Sequence, residues 1–281
     1  MSTAAPPKPP PPAPPPPAGP NSQSRAIGSA PARKLSVTTG RSIGAQRVGI
    51  YGTGGIGKTK LASLLKEVGI NPLIVDVENG SRFLNISRVG DIQTWDELRG
   101  VLHDESLLAP YGAVVIDSFT KAEELAIAHT LATVPTEGGE FVDKIEGYGY
   151  GKGYTHAYET FLKILGDLDA VIRRGKHVVV ICHDFKASVP NPYGEDWIRF
   201  EHRMQETPKG PIRSRVFEWC DHFFYVGYDV SVTKDGKGKG AGTRTIYPSE
   251  MPTHKAKSRD VSSTVIYRDG EPDLWKLLFS K

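Results

Sequence analysis

Three observations predict an α/β protein with a mostly parallel sheet, helices on both faces and a β-rich C-terminal part. Near-continuous runs of Val and Ile recur at 72–78, 113–118 and 177–182, as strands buried on both faces require. Stretches with helical apolar spacing alternate with them. A glycine-rich turn joins the first strand to the first helix.

Val48 to Tyr51 reads as that first strand, and Lys58 to Val68 as its helix, with Leu61, Leu64, Leu65 and Val68 on one side. Gly69 stops the helix, and Pro72 to Glu78 is a buried strand ending in two acids. Thr94 with Glu97 forms a capping box that opens a helix carrying Trp95, Leu98, Val101 and Leu102. Ala113 to Ser118 is the next strand, and a helix with Leu125, Ile127, Ala128 and Leu131 follows it. Val134 to Tyr154 holds six glycines and three tyrosines, too many breakers for a regular element. A helix near Thr155 to Arg173 then leads to the strand His177 to Cys182, which ends at His183-Asp184. Lys186 to Arg215 reads as long and irregular. His222 to Tyr228 and Thr243 to Tyr247 flank a polar loop from Lys234, a hairpin pattern, and Thr264 to Tyr267 and Trp275 to Phe279 suit short edge strands.

Composition separates the ends of the chain. Eleven of the first twenty residues are proline and residues 1–44 contain no acid, so this segment is expected to be a disordered tail, with the folded domain over 45–281. Removing the tail's five cations from the 35 Lys and Arg leaves 30 against 32 acids, a formal charge of −2. The basic balance of the whole chain is therefore no sign of a nucleic-acid-binding core, and such binding has to come from a local patch. Between Lys209 and Arg268 eleven cations face six acids, which makes this third the best location for one. Two cysteines, no signal-type leader and no apolar run of membrane length predict a soluble cytoplasmic protein.

The chemistry starts at Gly52-Thr53-Gly54-Gly55-Ile56-Gly57-Lys58-Thr59. Glycines between a strand and a helix leave successive backbone N–H groups free for phosphate, and the helix N-terminus adds partial positive charge. Lys58 is expected on the β and γ phosphates and Thr59 on Mg²⁺, so ATP and Mg²⁺ are the expected cofactors. Gly52, Gly54 and Gly57 also fit a dinucleotide fingerprint with Asp76 as its ribose acid, but that fold has no use for Lys-Thr after the last glycine. Asp117, after four apolar residues, suits a metal-orienting acid, with capping of the next helix as its plainer use. Glu78 is the candidate base that polarises the attacking water; Asp76 competes for the role. His183 is placed to sense the γ-phosphate, or serves as a structural histidine. Lys255, Lys257 and Arg259 alternate, so an extended segment would carry all three on one face, as phosphate contacts donated to a neighbouring subunit or as a solvated basic strand. Tyr193, Trp197, Phe200 and the cations from Arg199 to Arg215 suit a single strand of nucleic acid or, equally, a lid.

This order of motifs, a P-loop, Asp76-Val77-Glu78, Asp117-Ser118, His183 and a late Lys-Ala-Lys-Ser-Arg, resembles the RecA-like P-loop ATPases. Within them it is similar to phage nucleotide-binding proteins of recombination and single-strand annealing. The resemblance covers Arg47 to Phe279. It implies that Glu78 is the catalytic carboxylate and that His183 takes the sensor position, where the group more often has glutamine. It further implies that Lys257 and Arg259 act across a subunit interface of a homo-oligomer, and that the loops after Val134 and after Lys186 contact single-stranded DNA. The expected activity is Mg²⁺-dependent ATP hydrolysis. A small-molecule phosphotransferase and a slowly hydrolysing scaffold are the alternatives.

Overall fold

In the computed structural model, residues 37, 39–40, 44–232 and 238–279 are described. The tip of the lysine-glycine loop and all of the expected proline-rich tail except 37, 39–40 and 44 lie outside the described residues. The first strand, β1 (Arg47–Gly52), runs into α1 (Lys58–Ser63), which tightens into a 3₁₀ turn over Leu64–Val68 and stops at Gly69. β2 (Pro72–Asp76), β3 (Arg88–Val89), α2 (Trp95–His103), α3 (Glu105–Leu108) and β4 (Ala113–Asp117) follow. Next come α4 (Phe119–Thr133), α5 (Lys152–Arg173), β5 (His177–Val189) and β6 (Trp197–His202). α6 (Ile212–Trp219), β7 (His222–Val232), β8 (Gly238–Tyr247), β9 (Val265–Ile266) and α7 (Asp273–Phe279) complete the fold.

The strands lie in the order β3-β2-β4-β5-β1-β7-β8-β9. Pairing is parallel from β3 through β7 and antiparallel between β7, β8 and β9, so the parallel core and the β-rich C-terminal part are both as expected. Alternation sends Leu73, Val75, Val114, Ile116, Val178 and Val180 to one face, against α2, α4, α5 and α6. It sends Ile50, Ile74, Val115, Val179 and Ile181 to the other, against α1 and α7.

The buried side of α4 is Phe119, Thr120, Ala122, Glu123, Ala126 and Thr130. Close packing on α5 selects the smaller side chains there, and Thr130 donates to Thr160 at 2.9 Å. β5 does not end at Cys182 but runs on to Val189 and pairs with β6, so part of the stretch expected to be irregular is a hairpin. α5 starts three residues before the expected Thr155. Asp273–Phe279 is a helix rather than an edge strand; short apolar runs fit either period, and burial of Leu274, Trp275 and Leu278 on one side decides for the helix.

Candidate functional site

The P-loop is fixed by close backbone approach. A side chain at Gly52 would meet the Val226 carbonyl at 2.3 Å, and one at Gly57, whose φ is +102°, would meet the Tyr267 hydroxyl at 2.7 Å. Tyr267 donates to the Gly57 carbonyl (2.8 Å) and Arg244 to the Ile56 carbonyl (2.7 Å). Arg244 lies 4.2 Å over the Tyr267 ring and pairs with Asp269, which also meets Lys60 at 3.1 Å. The sequence reading missed this buttress, because the β8–β9 pairing that brings these residues to the loop has no local signature.

Lys58 is 7% exposed and donates to the carbonyls of Gly52 (2.7 Å) and Thr53 (3.0 Å). Burial lowers its pKa, and Asp117 opposes the shift. Thr59 donates to Asp117 Oδ2 at 2.5 Å, which brings together the two residues expected at Mg²⁺. Burial raises Asp117 to about 6, with Asp76 and Glu78 adding to the rise. A carboxylate so short of positive charge, beside a threonine hydroxyl, is a donor set that fits Mg²⁺. Among the described residues no cluster of three or more His, Cys, Asp or Glu forms another metal site. Ser118, not Asp117, caps α4, accepting from the Lys121 N–H at 3.1 Å.

Asp76, which ends β2, and Glu78, two residues further on, divide their tasks. Asp76 is buried and accepts from the N–H groups of Gly80 (3.0 Å) and Ser81 (2.8 Å) and from the Ser81 hydroxyl, so it shapes the turn. Glu78 faces the cavity, where Ser118 donates to it and His183 Nε2 lies 2.9 and 3.1 Å from its oxygens. The hydrogen bond from His183 is the main cause that holds Glu78 down to about 2, so it is ionised at neutral pH. His183 pairs with Gly52 in the parallel register, which seats the histidine directly beside the loop. A cavity of about 340 Å³ is lined by loop glycines together with Lys58, Thr59, Glu78, Asp117 and His183. No residue of 186–215 lines it.

The late basic segment lies elsewhere. Lys257 exchanges backbone hydrogen bonds with Phe223, level with Gly49 rather than with the loop. Lys255 and Lys257 share one face, 4.6 and 4.9 Å over the Phe217 ring. Arg259 reaches Asp221 (3.5 Å), the acid that also accepts from the Arg47 N–H at 3.0 Å. Tyr51 ties this segment to β1: its hydroxyl donates to Lys255 O (2.6 Å), lies 3.0 Å from Phe200 O, and accepts from Lys255 N (3.0 Å).

The two stretches expected to meet nucleic acid converge. Lys209 donates to the Tyr150 carbonyl, and Thr155 to the Lys209 carbonyl at 3.3 Å. Between them opens a cleft of about 690 Å³ lined by Lys152, His156, Lys209, Tyr148 and the exposed Tyr150. Arg199 and Arg213 are not free for such contacts, because both pair with the buried Glu201. No helix among the described residues is long and apolar enough to cross a membrane.

The family profile of the AAA domain matches residues 45–260. Among solved structures, the RadB recombinase aligns with a TM-score of 0.44 and 16% identity over 80% of this chain and 87% of that one. The flagellar accessory protein FlaH from Methanocaldococcus jannaschii aligns with a TM-score of 0.39 and 9% identity, over 80% of this chain and 85% of that one. No curated protein matches.

Proposed function

The chain belongs to the AAA domain family of P-loop ATPases, and from that premise we propose a Mg²⁺-dependent ATPase that binds single-stranded DNA in phage-type recombination or annealing. The observation that carries the ATPase reading is the single cavity in which Thr59 meets Asp117 while Glu78 is held ionised by Ser118 and His183. Bound Mg²⁺ supplies charge neutralisation at the phosphates. Lys58, released from the Gly52 and Thr53 carbonyls, binds phosphate oxygens. Glu78 orients a water and accepts its hydrogen bond, and His183 fixes which way the carboxylate points.

The cleft between Tyr150 and Lys209 supports the single-strand reading, since it sets Lys209 and Lys152, the latter paired with Glu137 at 2.5 Å, beside the exposed Tyr150 ring on which a base can stack. The phosphotransferase alternative needs the 186–215 stretch as a lid over the phosphates, and that stretch stands clear of the cavity. The ATPase domain spans 45–281, and a homo-oligomer brings Lys257 and Arg259 to a neighbour's phosphates. ATP turnover measured with and without single-stranded oligonucleotide tests the reading. Stimulation that weakens as salt rises is expected; turnover indifferent to DNA at every salt concentration would refute the strand-binding role.

A further inference from the structure

The C-terminal antiparallel strands hold the outer side of the P-loop by its carbonyls. Arg244 of β8 donates to Ile56 O at 2.7 Å, and Tyr267, the residue after β9, donates to Gly57 O at 2.8 Å. In a trans peptide the C=O and the N–H of the next residue point to opposite sides. Two peptide units whose carbonyls face Arg244 and Tyr267 therefore turn the N–H groups of Gly57 and Lys58 the other way, and both residues line the phosphate cavity. A donor on a carbonyl also polarises its peptide, and a charged donor does so more strongly than a neutral one.

The two anchors support each other. Tyr267 is 4% exposed, and burial pushes its hydroxyl up to about 12, so it stays a proton donor at neutral pH. The Tyr267 N–H donates to the Arg244 carbonyl at 2.8 Å, and the guanidinium sits 4.2 Å over the Tyr267 ring. Its terminal nitrogens divide their work, one on Ile56 O and the other on Asp269, which Lys60 meets at 3.1 Å. Two cations on one carboxylate leave a net positive charge beside the loop, and Lys60 lines the same cavity. A residue that only filled the space between β8 and the loop would need neither that charge nor the forked donors. We propose that Arg244, seconded by Tyr267, is a positioning residue for the nucleotide's phosphates: it aims the Gly57 and Lys58 N–H groups and places positive charge behind them, so that phosphate affinity depends on a strand of the C-terminal sheet. The inference rests on the reading of the loop as a triphosphate site.

The test is calorimetry of the full chain with Mg·ATP and with magnesium tripolyphosphate, a probe that has phosphates and no base, at a temperature well below the Tm of every variant. Arg244→Met should weaken both ligands about tenfold, the worth of one charge-assisted hydrogen bond. Tyr267→Phe keeps the ring under the guanidinium, guards against loss of folding, and should weaken both about threefold. Arg244→Lys retains the charge and should bring both affinities to within about threefold of the parent. If the parent binds both ligands but Arg244→Met lowers Tm and changes neither affinity, or if Arg244→Lys binds no better than Arg244→Met, the inference is overturned and the triphosphate reading stands. A loss for ATP alone would move the effect of Arg244 to the base and overturn it as well. A parent that binds neither ligand would remove the triphosphate reading and this inference with it.

Discussion

The two ends of β1 gather side chains of opposite charge. At its carboxyl end Gly52 opens a cavity where Glu78 and Asp117 gather around a single buried lysine. At its amino end Arg47, Lys257 and Arg259 gather around Asp221 and the aromatic face of Phe217. Five residue steps separate Arg47 from Gly52, roughly 17 Å of strand. The cations of one chain therefore lie at the far end of β1 from that chain's own phosphate cavity, so the catalytic role proposed for them needs another copy to present them.

The largest effect that would break this contrast comes from the basic end. Replacing Lys257 and Arg259 together by Ala should cost about 10³ in turnover while leaving ATP affinity in place, the loss expected when charge is withdrawn only from the transition state. Mixing that variant with Glu78→Gln chains should restore part of the rate, because each supplies what the other lacks. A mixture as inactive as its parts, or a double variant with normal turnover, would remove the trans assignment. Next in size, Glu78→Gln alone should lower turnover by about 10² to 10³ with nucleotide binding retained. Lys58→Ala should lower ATP affinity about 10²-fold, read by calorimetry, with the far-ultraviolet circular dichroism of the parent.

How the two ends differ in legibility follows from chain distance. The glycine loop, the strand that ends at Asp117 and the parallel core could be read because each depends on a few consecutive residues: glycines that free the backbone, an apolar run, an acid at its end. The choice between Asp76 and Glu78 could not, since it turns on which carboxylate the Gly80-Ser81 turn captures. Arg244 and Tyr267 reach the loop from 188 and 210 residues away. The Trp275 helix was misread as a strand because seven residues are too few to fix a period.

A buried acid on α4 offers a smaller effect. Glu123 accepts from the Gln205 N–H at 2.8 Å and so joins α4 to the segment that follows β6. Burial pushes its carboxyl up to about 7 from an ordinary 4.5. The folded state then keeps a proton that the unfolded chain has already released. Stability should fall as pH rises from about 4.5 to 7 and level off above that, with a total loss of up to about 3 kcal/mol. Glu123→Gln still accepts the hydrogen bond but carries no charge, so it should raise Tm at pH 8 and leave it unchanged at pH 4.5. Equal shifts at both pH values would show that the carboxyl does not titrate as its burial implies.

The smallest effect belongs to the residue between the two ends. Tyr51 is fully buried one position before Gly52, and its hydroxyl fastens the Lys255 backbone to β1. Tyr51→Phe keeps the ring against Phe223 and Tyr225 and removes only that fastening. The Lys255 segment keeps its backbone pairing at Phe223, so the loss should be confined to about 1–2 kcal/mol, a Tm lower by roughly 3–6 °C in a domain of this size. ATP affinity should not move, because Lys58 and Thr59 keep all their contacts. Turnover separates two accounts of the basic end: if the cations act on a neighbour's phosphates, loosening their tether lowers the rate at unchanged affinity. If they only cover Phe217, Tm falls alone, and the opposition between the ends of β1 is a matter of packing rather than of catalysis.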